Sequence, residues 1–174
     1  EVAAEFAYEN LGTSAAVFLD QGNDYVKGLA EYFIQFYEAL GGEVVVVENY
    51  TGEDVDFSAI LTKAKDADPD IIYLPDYYSK VNLVAAQAKE MGITAPFFGA
   101  DGWDSPDLDT DAVQGYYFTI RFAVSDPRPV VAAFVEAFTT KFDQAPDALA
   151  VLAYDAAHLL FPGYRSYRIL RSGG

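Results

Sequence analysis

A short apolar run enclosed by prolines is the feature that most constrains the fold. The sequence Pro-Asp-Ile-Ile-Tyr-Leu-Pro covers residues 69–75. Residues 71–74 show no polar alternation, which predicts a strand that is buried on both faces. Pro75 cannot donate to a sheet ladder, so the strand is expected to end there. Strands of this kind are typical of parallel sheets covered by helices on both sides, and ligands bind such open sheets beyond the carboxyl ends of their strands.

Charge and composition exclude several function classes. The chain carries 27 acidic and 11 basic residues, a net charge of −16, which would repel nucleic acids and anionic membranes. It has no cysteine and one histidine, which excludes disulfides, thiolate chemistry and a multi-histidine metal site. No apolar run approaches the roughly 20 residues of a membrane span. Glu1 opens no signal peptide, so a mature or excised piece is expected.

Strand-like runs alternate with helical patterns along most of the chain. Residues 44–47 are all valine and are interpreted as an interior strand. Strands are predicted over residues 14–19, 44–47, 71–74, 95–99 and 115–122, and helices over 1–11, 24–40, 57–64, 81–91, 130–142 and 148–161. This alternation predicts an α/β fold: a doubly wound parallel five-stranded sheet of flavodoxin-like order 2-1-3-4-5 in a three-layer sandwich.

The last residues depart from this pattern. Residues 162–174 contain three arginines and no usable periodicity. We interpret them as a non-native or frameshifted tail, since codons compatible with residues 161–174 can encode a helical continuation in another frame. Residues 1–146 are predicted to form a single ligand-binding lobe.

Four stretches in register resemble a known family. They are Phe-Leu-Asp-Gln-Gly-Asn-Asp-Tyr-Val-Lys-Gly-Leu at residues 18–29, Asp-Phe-Ser-Ala-Ile-Leu at 56–61, Asp-Ile-Ile-Tyr-Leu-Pro-Asp-Tyr-Tyr at 70–78 and Phe-Phe-Gly-Ala-Asp-Gly-Trp at 97–103. Together they resemble the type I periplasmic binding proteins of ABC importers, in the branched-chain amino-acid-binding branch. The resemblance covers only the second, C-terminal lobe of two. It implies that residues 147–161 are a crossover helix belonging to the missing lobe of the parent protein.

The resemblance also implies a set of ligand contacts. The family's second-lobe contacts fall on Tyr25, Tyr77 and Asp101, and Tyr78 and Trp103 adjoin them. Asp101 could neutralise a ligand ammonium, and tyrosines offer apolar faces with a polar end. The family usually has the longer Glu at the position of Asp101. Trp103 is expected to wall the pocket for the ligand's side chain, and packing of the loop is the alternative for Trp103 and Tyr25.

The resemblance implies capture of an amino acid of the leucine, isoleucine or valine type, without catalysis, cofactor or metal. The expected partners are that amino acid and, in a periplasmic or extracytoplasmic parent, the first lobe and the membrane subunits of the importer. Binding by this chain alone is expected to be weak or absent. The apolar helix 148–161 is expected to fold back on the sheet or to form a homodimer.

Two other functions remain open from the residues. A receiver-type phosphoacceptor domain shares the strand order and would use Asp20 and Asp76 to hold Mg²⁺. That class resembles a pattern with a hydroxyl residue after strand four and a lysine after strand five, where this chain has Gly99 and Arg121. The second alternative is an engineered or truncated folding unit with no activity.

Overall fold

The fold is known from a computed structural model that describes residues 1–113 and 115–160. Contacts divide the chain into two compact units, residues 1–120 and 121–174. The first unit contains α1 (Val2–Asn10), β1 (Ser14–Asp20), α2 (Asp24–Ala39), β2 (Glu43–Tyr50), α3 (Ser58–Ala67), β3 (Ile71–Tyr73), α4 (Tyr78–Glu90), β4 (Phe97–Gly99), a 3₁₀ turn (Asp101–Trp103) and β5 (Tyr117–Phe118). The second contains α5 (Pro129–Phe142) and α6 (Ala148–Leu160). Among the described helices, none combines the length and apolar character needed to cross a membrane.

The five strands form one parallel sheet in the order β2-β1-β3-β4-β5, which confirms the predicted topology. Successive residues of β3 enter different cores, because side chains alternate across a strand. Ile71 and Tyr73 pack with α1 and α2, and Ile72 packs with α3 and α4. Both faces of β3 are therefore covered by helices, which explains why its sequence has no polar alternation.

The prediction that residues 44–47 form an interior strand was wrong. β2 lies at the edge of the sheet, and the side chains of Val45 and Val47 are 36% and 46% exposed. A register shift pairs Ala15 with Val44 and Ala16 with Val46, so Val45 is the extra residue of a bulge. The valine run reflects a preference for extended backbone, which an edge strand shares with an interior one.

Two strands at the end of the sheet are shorter than predicted. β4 begins at Phe97, two residues after the predicted start, and β5 is limited to Tyr117–Phe118 within the predicted 115–122. The extent of the ligand-binding lobe to residue 146 stays a prediction. The predicted tail, residues 162–174, lies outside the described residues, and the parental origin of the last helix stays a prediction.

Within the described range 121–160, the second unit contains two apolar helices, and neither helix has a buried residue. Rings of Phe134 on α5 and Tyr154 on α6 lie 4.8 Å apart. A cavity of about 670 Å³ opens beside these rings, and its lining residues fall between 121 and 155. The cavity is therefore separate in sequence from every predicted ligand contact.

Asp70 connects the amino-terminal ends of β1 and β3. Its Oδ2 accepts hydrogen bonds of 2.9 Å from the Thr13 N–H, the Ser14 N–H and the Ser14 hydroxyl. The bonds from Ser14, and then the one from Thr13, hold the pKa of Asp70 below its usual value, although burial opposes them. The carboxylate form is therefore the one that stabilises this edge of the sheet.

We expect Asp70→Ala to lower the free energy of unfolding at pH 7 by about 1 kcal/mol, because bonds to a charged acceptor are strong but this site is largely solvated. A depressed pKa contributes stability above the unfolded-state value near 4 and loses it as pH falls through the lower native value. Urea unfolding at pH 7 and near pH 2.5 measures both effects. An equal loss at the two pH values, or the same loss in the exposed control Asp66→Ala, would contradict this.

Candidate functional site

Three of the predicted ligand residues meet at the carboxyl edge of the sheet. Tyr25 lies in the first turn of α2, where the Asn23 side chain accepts hydrogen bonds from the backbone N–H groups of Tyr25 and Val26 at 3.0 and 3.3 Å. Tyr77 caps the start of α4, and Asp101 opens the 3₁₀ turn after β4. Parallel strands end on the same edge, which brings these loops together.

Tyr25 links the other two residues by direct contacts. Its hydroxyl donates a 2.6 Å hydrogen bond to Asp101 Oδ1 and accepts a 3.1 Å bond from the Gly102 N–H. Its ring stacks on Tyr77 with the centroids 5.2 Å apart. Burial, and then the hydrogen bond to Asp101, raises the pKa of Tyr25. The phenol therefore remains a donor at neutral pH and fixes the direction of the carboxylate.

Tyr77 and Asp101 provide accessible surface of two different kinds. Tyr77 is 46% exposed, and Asp101 is partly exposed. An apolar ring beside a carboxylate can accept a ligand that has a cationic amine next to a hydrocarbon group. Tyr78 is half-buried at the first position of α4, and in the described chain no hydrogen bond or ring stacking joins it to Tyr25, Tyr77 or Asp101.

Trp103 occupies a packed position beneath this surface. It is 0% exposed, and its indole N–H donates a 3.0 Å hydrogen bond to the Leu74 carbonyl. A Cβ atom on Gly99 would lie 2.1 Å from the indole, so glycine is required for this approach. In this structure Trp103 offers no surface to a ligand, and its contacts match the packing alternative instead.

A buried carboxylate lies directly behind the site. Asp76 and Asp20 are 3% and 7% exposed. The Tyr50 hydroxyl donates a hydrogen bond to Asp76 Oδ2, and the Tyr77 N–H donates one of 2.6 Å to Oδ1. Burial raises the pKa of Asp76, and its hydrogen bonds with Tyr50 and Tyr77 oppose this. Within residues 1–113 and 115–160, no group of three or more potential ligands could hold a metal ion.

Tyr50 is the member of this cluster that the sequence did not reveal. It lies three residues beyond the predicted end of the second strand. A longer strand would have placed it at the carboxyl edge with the other loops. Its partner Asp76 follows the third strand in the sequence, but a buried tyrosine–carboxylate pair has no spacing signature that would join the two residues.

Comparison with known proteins identifies the family. A family model described as "Periplasmic binding protein" matches residues 1–166. The chain belongs to this family. The resemblance found in the sequence is thereby confirmed, and the periplasmic binding protein fold accounts for the parallel order of the sheet.

Relatives within the family bind branched-chain amino acids. The chain is 30% identical over 167 residues to the leucine-, isoleucine-, valine-, threonine- and alanine-binding protein of Pseudomonas aeruginosa, covering 93% of this chain and 44% of the relative. A leucine-binding protein from Thermotoga maritima has a TM-score of 0.84 and 36% identity, over 95% of this chain and 48% of that one. The chain spans less than half the length of these relatives.

A second solved structure was determined with its ligand. It is the branched-chain amino acid transporter substrate-binding protein of Streptococcus pneumoniae in complex with isoleucine. Its TM-score is 0.76 and its identity 31%, covering 90% of this chain and 46% of that one. The partial coverage by all three relatives is consistent with a single lobe of a periplasmic binding protein.

Proposed function

We propose that this chain is the second lobe of a substrate-binding protein for a branched-chain amino acid, and that it captures its ligand without catalysis. One observation carries the proposal. The Asp101 carboxylate lies beside the stacked Tyr25 and Tyr77 rings at the edge where open α/β sheets bind ligands. The relatives' names, which include leucine- and isoleucine-binding proteins, support this ligand class.

On this proposal, Asp101 and Tyr77 recognise different parts of the ligand. Asp101 receives the ammonium through a charge-assisted hydrogen bond, while Tyr25 holds the carboxylate in place. The exposed ring of Tyr77 receives the hydrocarbon side chain. In the parent, the first lobe would bind the opposite side of the ligand, and closure of the lobes would signal occupancy to the membrane subunits of the importer.

Binding by the single lobe is weak on this proposal. A ligand held on one side leaves its other half in water, and each 1.4 kcal/mol of missing contact weakens binding about tenfold. The parent would act in the periplasm or another extracytoplasmic space, where it delivers amino acids to the importer.

The test is a backbone-amide NMR titration of the chain with leucine, isoleucine, valine and glycine. We expect saturable shifts in the millimolar range at Tyr77, Asp101 and Gly102 for the branched amino acids, and smaller ones for glycine. Shifts around Asp20 and Asp76 with Mg²⁺ and a phosphate mimic, and none with amino acids, would favour the receiver-type alternative. No response to either would indicate a folding unit without activity.

The exposed apolar helix α6 leads to a separate prediction of self-association. Leu149, Leu159 and Leu160 are each more than 70% exposed, and large exposed apolar side chains favour association. We expect sedimentation analysis to detect a dimer that Leu149→Glu with Leu159→Glu converts to monomer. The control Val2→Glu, at an equally exposed site on α1, is expected to leave the dimer intact. A monomeric chain without substitutions would contradict the prediction.

A further inference from the structure

Asp76 contacts both loops that carry the accessible ligand groups. Its side chain accepts a 2.6 Å hydrogen bond from the backbone N–H of Tyr77. Its main-chain carbonyl lies against Gly102, where an added Cβ would approach the oxygen to 2.7 Å. Gly102 directly follows Asp101 and donates its own N–H to Tyr25. A displacement of Asp76 would therefore be transmitted to both sides of the site.

Asp76 is itself held by Tyr50, at the end of β2. The Tyr50 hydroxyl donates to Asp76 Oδ2, and Tyr50 is anchored by the edge-to-face contact of its ring with Phe57 at 5.4 Å. The charged groups acting on Asp76 are Asp20 at the end of β1 and Lys80 on α4. The Lys80 ammonium is itself engaged with the Asp54 carbonyl at 2.6 Å.

We propose that Asp76 is a positioning residue, which, held by Tyr50, keeps Tyr77 and Asp101 at the spacing that an amino acid requires. The effect on affinity rests on the proposed function, whereas the effect on geometry does not. Asp76 is nearly inaccessible to solvent, so it acts through the two loops and not through contact with the ligand.

The chemistry of the two hydrogen bonds predicts which substitutions are tolerated. Asparagine at position 76 keeps an oxygen for the Tyr77 N–H, and its amide can donate to the Tyr50 oxygen. Alanine loses both bonds. Asp70→Ala is the matched control, since Asp70 is the carboxylate at the opposite end of β3 and also accepts backbone hydrogen bonds.

The experiment measures the proton–proton NOE between the Tyr25 and Tyr77 rings in the free chain, and then the dissociation constant for leucine. We expect Asp76→Ala to lose the NOE and to weaken leucine binding at least tenfold. Asp76→Asn is expected to keep the NOE and to bind leucine with a dissociation constant within about threefold of the original chain. Asp70→Ala is expected to change neither the NOE nor the dissociation constant. A reduced NOE is also expected in Tyr50→Phe.

An unchanged NOE in Asp76→Ala would overturn the positioning role, whatever the dissociation constant for leucine. If Asp76→Ala does not fold, Tyr50→Phe tests the proposal. An unchanged NOE in Tyr50→Phe would show that the hydrogen bond from Tyr50 to Asp76 does not hold the site in place. Loss of the NOE in Asp76→Ala, together with no leucine binding by the original chain, would support the positioning role and contradict ligand capture by the single lobe instead.

Discussion

Replacement of Trp103 by alanine is expected to lower the free energy of unfolding by about 3–5 kcal/mol, the range for large aromatic side chains removed from a core. Trp103 is fully buried and packs against β3 and β4. The substitution also removes the donor to the Leu74 carbonyl, which would remain buried without that partner. Urea unfolding followed by tyrosine fluorescence and circular dichroism measures the loss.

The control for this effect is Tyr32→Ala, at an aromatic residue that is 62% exposed on α2. We expect it to change stability by less than about 0.5 kcal/mol, as for ordinary surface substitutions. A loss below about 1 kcal/mol for Trp103→Ala, accompanied by loss of leucine-induced shifts, would contradict the packing role. That result would support the role predicted from the sequence, in which Trp103 forms a wall of the ligand pocket.

Substitution of Asp101 by asparagine is expected to weaken leucine binding by at least tenfold. Asparagine keeps an oxygen for the Tyr25 hydroxyl, so the site retains its scaffold but loses the negative charge. A charge-assisted hydrogen bond is about twice as strong as a neutral one, and partial solvation reduces this advantage. The NMR titration of the variant gives the dissociation constant directly.

Asp104→Asn is the matched control, because it removes the same charge three residues away on an exposed side chain. We expect its affinity for leucine to lie within about twofold of the original chain. Equal affinities in the original chain and Asp101→Asn would show that the ammonium binds elsewhere. Equal losses in the two variants would indicate attraction by the net charge of −16 and not by a site.

The parallel sheet was predictable from the sequence because the apolar run of β3 is compatible with few other folds. Ile71 and Ile72 enter different cores, and a strand buried on both faces requires helices on both sides. The same reasoning failed for residues 44–47, because β-branched residues favour extended backbone wherever the strand lies. Exposure at the edge depends on which strands pair, and Val45 carries no local sign of that.

The candidate site was predictable only in part. Tyr25, Tyr77 and Asp101 follow strands that end on one edge, so their proximity follows from topology. The burial of Trp103 depends on the absence of a side chain at Gly99, which is a tertiary contact. The bond between Tyr50 and Asp76 joins residues 26 positions apart, and neither residue type predicts the other.

The most direct measurement compares the two halves of leucine as ligands of the chain. The amine 3-methylbutylamine lacks the carboxylate, and 4-methylpentanoate lacks the ammonium. At about 0.15 M salt, which screens charges beyond about 8 Å, we expect the amine to reproduce the leucine-induced shifts at Asp101, Gly102 and Tyr77. The acid is expected to produce none. Binding of the acid without the amine would contradict the assignment of the ammonium to Asp101 and with it the proposed division of the ligand between two lobes.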